Sequence, residues 1–316
     1  KEFKNFEILI INDSNIEIIK QTFKEKYKYL KKFNNIKIYT NKRGFYDLKK
    51  TNKLFSRWKS EKNNIFDLEE KIRDYDVIIS DFVPEAFELA KKLKIKCYGV
   101  CHFTWSWFFS ASNYKNKRDI EYIKKIENLA DKIFFPPFTP KKIFSHVSKK
   151  ISKNVNFITE VEKQNILKNK KPVFLIMDNG KGTLRQYISK TLKYMAKNKE
   201  ITFYIAVDSL SLEDKRFIIK SDNLIPVIGL KSIYSEIIKV DYVIARAGFN
   251  TISECLIYKK PTMFSDERYN PEIRENLKIV QQKEIGATIN LEDWGNNFNK
   301  KINKFIKYDK KKIERI

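Results

Sequence analysis

Short runs of β-branched and aromatic residues alternate with amphipathic helical stretches along nearly the whole chain, and that order leaves few folds open. Strands are expected at Phe6–Ile11, Ile36–Thr40, Val77–Ser80 and Cys97–Val100, with helices over Ile16–Lys31, Phe66–Arg73 and Glu85–Leu93. After residue 170 the alternation begins again, with strands at Val173–Met177, Ile201–Val207, Leu224–Ile228, Tyr242–Ala245 and Pro261–Phe264 and helices over Leu184–Lys197 and Ile252–Tyr258. A helix between two strands returns the chain parallel to the first, so each half predicts a parallel sheet covered by helices. The expected class is α/β, as two doubly wound, Rossmann-like domains.

Prolines and a loss of periodicity mark the boundary. Phe135-Pro-Pro-Phe-Thr-Pro140 opens a Lys-rich and Asn-rich segment that runs to Lys171, which puts the junction near Ile158 and the domains at 1–158 and 159–316. With 316 residues and 42% hydrophobic side chains, each half has enough apolar material for a core. The last stretch, Lys300–Ile316, reads as a basic amphipathic helix with Ile302, Phe305 and Ile306 on one side, either packed back onto the first domain or a solvated tail.

Only eight glycines occur, and Gly180, Gly182, Gly229, Gly248 and Gly286 lie at or near the ends of expected strands in the second half. The richest stretch is Asp241-Tyr-Val-Ile-Ala-Arg-Ala-Gly-Phe-Asn-Thr-Ile-Ser-Glu254, a strand, a Gly turn and a helix that opens near Asn250. Free N–H groups and the helix dipole would face an anion at that turn. Thr251-x-x-Glu254 also reads as a capping box, a feature that opens many helices that bind nothing. Gly180-Lys181-Gly182 follows the first strand of this half directly, where Lys181 and Arg185 would meet a diphosphate, although a tight turn alone explains the glycines. Gly229 ends another strand, where main-chain groups would read a base edge.

On these residues the second half resembles the donor half of GT-B glycosyltransferases, in particular the inverting group that includes the N-acetylglucosaminyl transferase of peptidoglycan synthesis, over roughly residues 171–290. The pattern is carried by Arg246, Gly248, Thr251, Glu254, Pro261, Asn276 and Gly286. The resemblance implies two domains facing a cleft, with Glu254 on the ribose hydroxyls and Gly248 to Thr251 on the diphosphate. The implied donor-binding set is Gly180, Lys181, Gly182, Gly229, Arg246, Gly248, Asn250, Thr251, Glu254 and Asn276. Where that family has Gln three residues before the Asn, this chain has Ile273 between Glu272 and Arg274, so its contacts to the donor sugar differ.

The first half is similar to the glycosyltransferase-like module fused to L-arabinokinases, through Val77-Ile-Ile-Ser-Asp81-Phe-Val-Pro84-Glu-Ala-Phe87 and Cys101-His-Phe-Thr-Trp105-Ser-Trp107. Asn usually stands in those relatives where this chain has His102. Their Gly-rich, His-bearing loop after the first strand is not found; either it precedes residue 1, since the chain does not begin with Met, or the protein works without it.

Two residues are the catalytic candidates. His102 follows a strand and is placed to take a proton from an acceptor hydroxyl, or is a structural histidine among aromatic residues. Asp81 likewise ends a strand, as base, acceptor ligand or cap of the helix that follows. His146 is expected at the surface, and Phe103, Trp105, Trp107, Phe108 and Phe109 either stack on a sugar or lipid or fill a core. No metal is expected: Asp74-Tyr-Asp76 precedes its strand, and Cys97, Cys101 and Cys255 form no ligand spacing and read as buried thiols.

The net charge of +25 favours polyanions, yet the lysines are spread over expected helix faces, so nucleic acid is disfavoured and the anionic inner face of a membrane remains a peripheral contact. No apolar run is long enough to span a bilayer and no signal-peptide core opens the chain, which implies a cytoplasmic protein. The combined expectation is a metal-independent, inverting glycosyltransferase without a cofactor. It would take a nucleoside-diphosphate sugar, with UDP favoured, and a glycan, lipid or protein acceptor. A nucleotide-sugar hydrolase on the same scaffold and a non-catalytic basic protein that docks on nucleic acid or membrane are the alternatives.

Overall fold

A computed structural model describes residues 7–12, 28–31, 36–61, 68–156, 169–178, 182–229, 236–267 and 269–307. The chain forms two compact units, one from Lys1–Ile38 and Leu48–Val155, the other from Tyr39–Asp47 and Asn156–Ile316. The division is not contiguous in sequence: nine residues of the N-terminal half belong to the C-terminal unit.

That second unit is built on six parallel strands, β7 (Val173–Ile176), β8 (Thr202–Ala206), β9 (Leu224–Val227), β10 (Tyr242–Arg246), β11 (Thr262–Ser265) and β12 (Ala287–Ile289). Their spatial order is β12-β11-β10-β7-β8-β9. The chain therefore winds outward from β7 to β9, returns to the middle at β10, and winds outward the other way. β7 reads as an unbroken apolar run because both of its faces are covered. Phe174 and Ile176 point into one core with Ile188, Leu192 and Met195 of the helix Arg185–Lys197. Val173, Leu175 and Met177 point into the other, with Ile237, Ile238 and Cys255. Gly286 is required by close approach, since a Cβ there would lie 2.6 Å from the carbonyl oxygen of Thr262.

The first unit contains a parallel sheet of β3 (Val77–Ser80), β4 (Lys96–Val100), β5 (Lys132–Phe135) and β6 (Ser152–Asn154), in that order, and a parallel pair, β1 (Leu9–Asn12) with β2 (Lys28–Lys31). The helix Pro84–Leu93 starts on Pro84, whose missing N–H costs nothing in a first turn, and ends at Lys94 in the left-handed conformation. It buries Phe87, Leu89 and Ala90. The helix Lys117–Glu127 is capped by Asn116 and buries Ile120, Ile123 and Ile126, spaced three apart along one face.

Several expectations are corrected. Residues Lys28–Lys31 were expected to end a helix and instead form β2, where parallel pairing with β1 overrides a pattern that suits a helix equally well. No strand forms at Ile36–Thr40; Thr40 makes only an isolated antiparallel bridge to Tyr46. Among the described residues the last helix is Phe298–Ile306, and it is no solvated tail: Phe298, Ile302 and Phe305 enter the second unit's own core beside Trp294. The expected junction near Ile158 and the end of the chain after Lys307 lie outside the described residues. All three cysteines are buried, and burial raises the thiols of Cys97 and Cys255 to about 12. Among the described residues, no helix is long and apolar enough to cross a membrane.

Candidate functional site

In the second unit, β7 and β10 are neighbours from which the chain departs in opposite directions, and this switch point is where an open α/β sheet leaves a crevice beyond its carboxyl ends. The loops of Gly182 and Gly248 leave from these two strands, which are joined in register at Ile176 and Ile244. After β10 the chain makes a tight turn, with Gly248 N–H donating to Arg246 C=O at 2.8 Å, and Gly248 becomes the N-cap of the helix Phe249–Ile257. No side chain caps that helix and no acidic residue stands in its first turn. Its dipole and the N–H groups of its first turn therefore favour an anion. Thr251 sits inside the helix, so the capping-box reading of Thr251-x-x-Glu254 is excluded. Asn250 is exposed on the first turn, and Glu254 is buried one turn further on, at 6% exposure.

The supporting residues explain how the turn is held. Asn276, expected to bind the donor, donates its amide to Ala247 C=O at 2.9 Å from the facing helix Pro271–Gln282, and is itself buried. Arg246 pairs through Nε with Glu267, which is 3% exposed and stands just beyond β11. Ile273 is fully buried among Ile252, Phe264 and Leu277, so it supports the core and does not replace a polar contact.

On the β7 side, Asp178 receives Leu184 N–H at 2.9 Å and Ser209 O–H at 3.0 Å, tying this loop to the one after β8. Gly182 sits at φ +72°, which glycine adopts without strain; a Cβ there would meet Ser209 at 3.5 Å and Asp178 at 4.0 Å, ordinary contacts, so the backbone conformation and not space calls for glycine. Gly180 and Lys181 lie outside the described residues. Gly229 follows β9, two strands from β7, and its N–H is taken by Asp208 at 3.0 Å, so this amide is not available to read a base. Asp178 and Glu267 were not expected from sequence, although Asp178 directly follows the first strand of the unit and that position was a usable signal.

In the first unit, Asp81 and His102 come from the carboxyl ends of neighbouring strands, β3 and β4. Asp81 does not cap a helix: the helix Pro84–Leu93 has Val83 at its N-cap with no side-chain bond, and Ser80 Oγ closes the turn by accepting Val83 N–H at 2.7 Å. Between them Phe82 is held at φ 50°, buried, with its carbonyl accepting the indole N–H of Trp105 at 3.0 Å. A bulky residue in that region costs about 1–3 kcal/mol, and the surrounding bonds hold it there. The result is a turn that presents Asp81 outward. Its carboxyl is raised above the ordinary range by loss of solvent, although the residue keeps an exposed face, and His102 nearby acts in the opposite direction.

His102 is half-buried, with its ring edge-on to Phe103 at 5.0 Å. The segment that carries it is pinned on both sides. Cys101 N–H donates to Phe134 C=O at 3.1 Å, and Thr104, the N-cap of the helix Trp105–Ala111, donates to Ile143 C=O at 2.7 Å. Phe108 and Phe109 are fully buried core residues, whereas Phe103, Trp105 and Trp107 keep partial exposure.

His146, expected at the surface, is half-buried. Its Nε2 lies 2.6 Å from Glu127 Oε2 and 3.2 Å from Ser106 Oγ, and Glu127 also accepts Ser106 N–H and O–H at 3.0 and 2.6 Å. Glu127 and Ser106 are fully buried. One imidazole nitrogen serves both partners and the serine reaches no solvent, so the trio braces a helix start and is no nucleophilic triad. Among the described residues no three His, Cys, Asp or Glu side chains gather as a metal site.

No protein-family model matches the chain, and no curated protein matches it in sequence. Solved structures do match its fold. The calicheamicin glycosyltransferase CalG4 superposes with a TM-score of 0.67 at 10% identity, over 98% of this chain and 85% of its own. An Arabidopsis thaliana UGT solved with UDP-L-rhamnose gives 0.66 at 10% identity, again over 98% and 85%. MurG of Acinetobacter baumannii gives 0.55 at 9% identity over 99% and 85%. The chain has the GT-B fold, with two Rossmann-like domains.

Proposed function

We propose that the protein is a glycosyltransferase that moves a sugar from a nucleoside-diphosphate sugar, with UDP as the nucleotide, to an acceptor hydroxyl, with inversion. The observation that carries this reading is the uncapped helix start at Gly248 beside the Gly182 loop, at the switch point of the second unit's sheet. The likeness in fold to UDP-sugar enzymes supports it.

In this reading the first turn of Phe249–Ile257, with Asn250 and Thr251, holds the diphosphate, and Glu254 accepts the ribose hydroxyls. Arg246 lends positive charge to the leaving group while Glu267 fixes its orientation. His102 takes the proton of the acceptor hydroxyl, and Asp81 stabilises the imidazolium so formed. The acceptor oxygen bonds to the anomeric carbon as the carbon–oxygen bond to the diphosphate breaks, and the electron pair leaves on UDP. One displacement inverts the centre. The charge on the diphosphate is met by the helix dipole and cationic side chains, so the reaction is proposed to need neither metal nor cofactor.

UDP should raise the melting temperature, because a ligand specific to the native state must stabilise it. Glu254→Ala should abolish that shift, and an unchanged shift in this variant would remove Glu254 from the site. Release of free sugar at a rate indifferent to added acceptor would replace the transferase reading with hydrolysis.

A further inference from the structure

We propose that the hairpin Tyr39–Asp47 is a second anion-binding element of the candidate site, in which Arg43 and Lys42 bind the phosphates of a nucleoside diphosphate. This inference rests on the switch-point reading given above.

The hairpin comes from the N-terminal half of the sequence but belongs to the second unit. Its ends are held by Asp47 N–H to Tyr39 C=O at 2.8 Å and by the Thr40–Tyr46 bridge. Asn41 then shapes the tip: its side-chain oxygen accepts Arg43 N–H at 2.9 Å and Phe45 N–H at 3.2 Å, and its carbonyl accepts Gly44 N–H at 2.9 Å. Gly44 stands at φ +79°, the left-handed last position of a three-residue hairpin loop. Lys42 and Arg43 are the remaining tip residues.

The tip is docked on the loop that leaves β7. Thr183 O–H donates to Gly44 C=O at 2.9 Å with Thr183 1% exposed and Gly44 buried, and Phe45 packs edge-on against Tyr187 at 6.3 Å. Thr183 stands between Gly182 and Leu184, whose N–H is fixed by Asp178, so the hairpin is fastened inside the switch-point loop itself. Arg43 is next in sequence to the docked carbonyl. Both basic side chains are exposed and, among the described residues, neither has an acidic partner. Asp178 places a negative charge in the same loop, so a diphosphate held there needs cations. A guanidinium with two parallel N–H donors and an ammonium suit that need.

The experiment is calorimetric titration of the full chain with UDP and with uridine, at several salt concentrations, for the wild type, Arg43→Ala with Lys42→Ala, and Thr183→Val. The double variant should bind UDP about tenfold or more weakly, with a shallower salt dependence, and should bind uridine as the wild type does. Thr183→Val, which keeps both charges but removes the hydrogen bond that holds the tip at Gly44, should also weaken UDP and spare uridine. Wild-type affinity for UDP in the double variant, with an unchanged salt slope, would overturn the inference and leave the site reading standing. Failure of the wild type to bind UDP would instead overturn the site reading and the inference with it.

Discussion

The side-chain amide of Asn276 donates to the carbonyl of Ala247 at 2.9 Å and so braces the turn that leads into Gly248. Both groups are buried, so the bond has no water to replace it. Asn276→Ala should destabilise the fold by about 1–3 kcal/mol, because the Ala247 carbonyl is left unpaired. It should also weaken UDP binding through the loosened Gly248 turn. Urea denaturation and titration of the same variant check this; unaltered stability with lost UDP binding would count against the bracing role and for direct contact with the ligand.

Glu85 should make the first unit sensitive to pH. The residue is fully buried at the start of Pro84–Leu93, where Oε1 accepts the indole N–H of Trp58 and, at 3.2 Å, the N–H of Ile36. Oε2 is buried with no hydrogen-bond partner. Burial raises its pKa to about 7, with Glu88 adding a smaller push in the same direction. A raised folded-state value means that the protonated form is favoured by folding. The associated stability is complete below the ordinary carboxylate value of 4.5 and is lost as pH rises through about 7. Glu85→Gln keeps the bonds without the charge, so it should be relatively more stable than the wild type at pH 8 than at pH 5. Parallel urea midpoints for the two proteins across that range would refute this.

His102→Ala and Asp81→Asn should each lower kcat by about 10²–10⁴ while leaving UDP affinity near that of the wild type, if they act on the acceptor proton. The Asp81 carboxyl titrates above its ordinary 3.8, so its negative charge, and the support it gives His102, should be lost on acidification earlier than for an ordinary aspartate. A pH–rate profile of Asp81→Asn that keeps the wild-type acid limb would count against the pairing.

Phe298→Ala should cost about 3–5 kcal/mol, the usual loss for a large aromatic removed from a core. A surface helix would lose almost nothing. Phe298 is fully buried against Phe203 and Trp294, so thermal or urea unfolding separates the two cases directly.

Turnover should persist in excess EDTA, since the proposed charge stabilisation uses helix dipole and side chains. Loss of activity in EDTA that added magnesium or manganese restores would require a metal.

Much of the second unit was legible in the sequence because local and global signals agree there. Apolar runs covered on both faces, glycine at the strand ends and a helix after each turn allow one architecture, and Val173–Ile176, Tyr242–Arg246 and Gly248 stand where those signals put them. Around residues 28–40 periodicity was compatible with more than one element, and only pairing with β1 decided that Lys28–Lys31 is a strand.

Sequence order by itself determined the α/β class, the strand–turn–helix at Gly248 and the positions of Asp81 and His102 at strand ends. The tertiary structure alone decided what those side chains meet. It sets His146 against the buried Glu127, turns Asn276 inward onto Ala247, pairs Arg246 with Glu267, and carries the tip of Tyr39–Asp47 to Thr183, 139 positions away from Gly44. Periodicity reports which face of an element is buried. A hydrogen-bond partner depends on how distant elements pack, and no local pattern contains that.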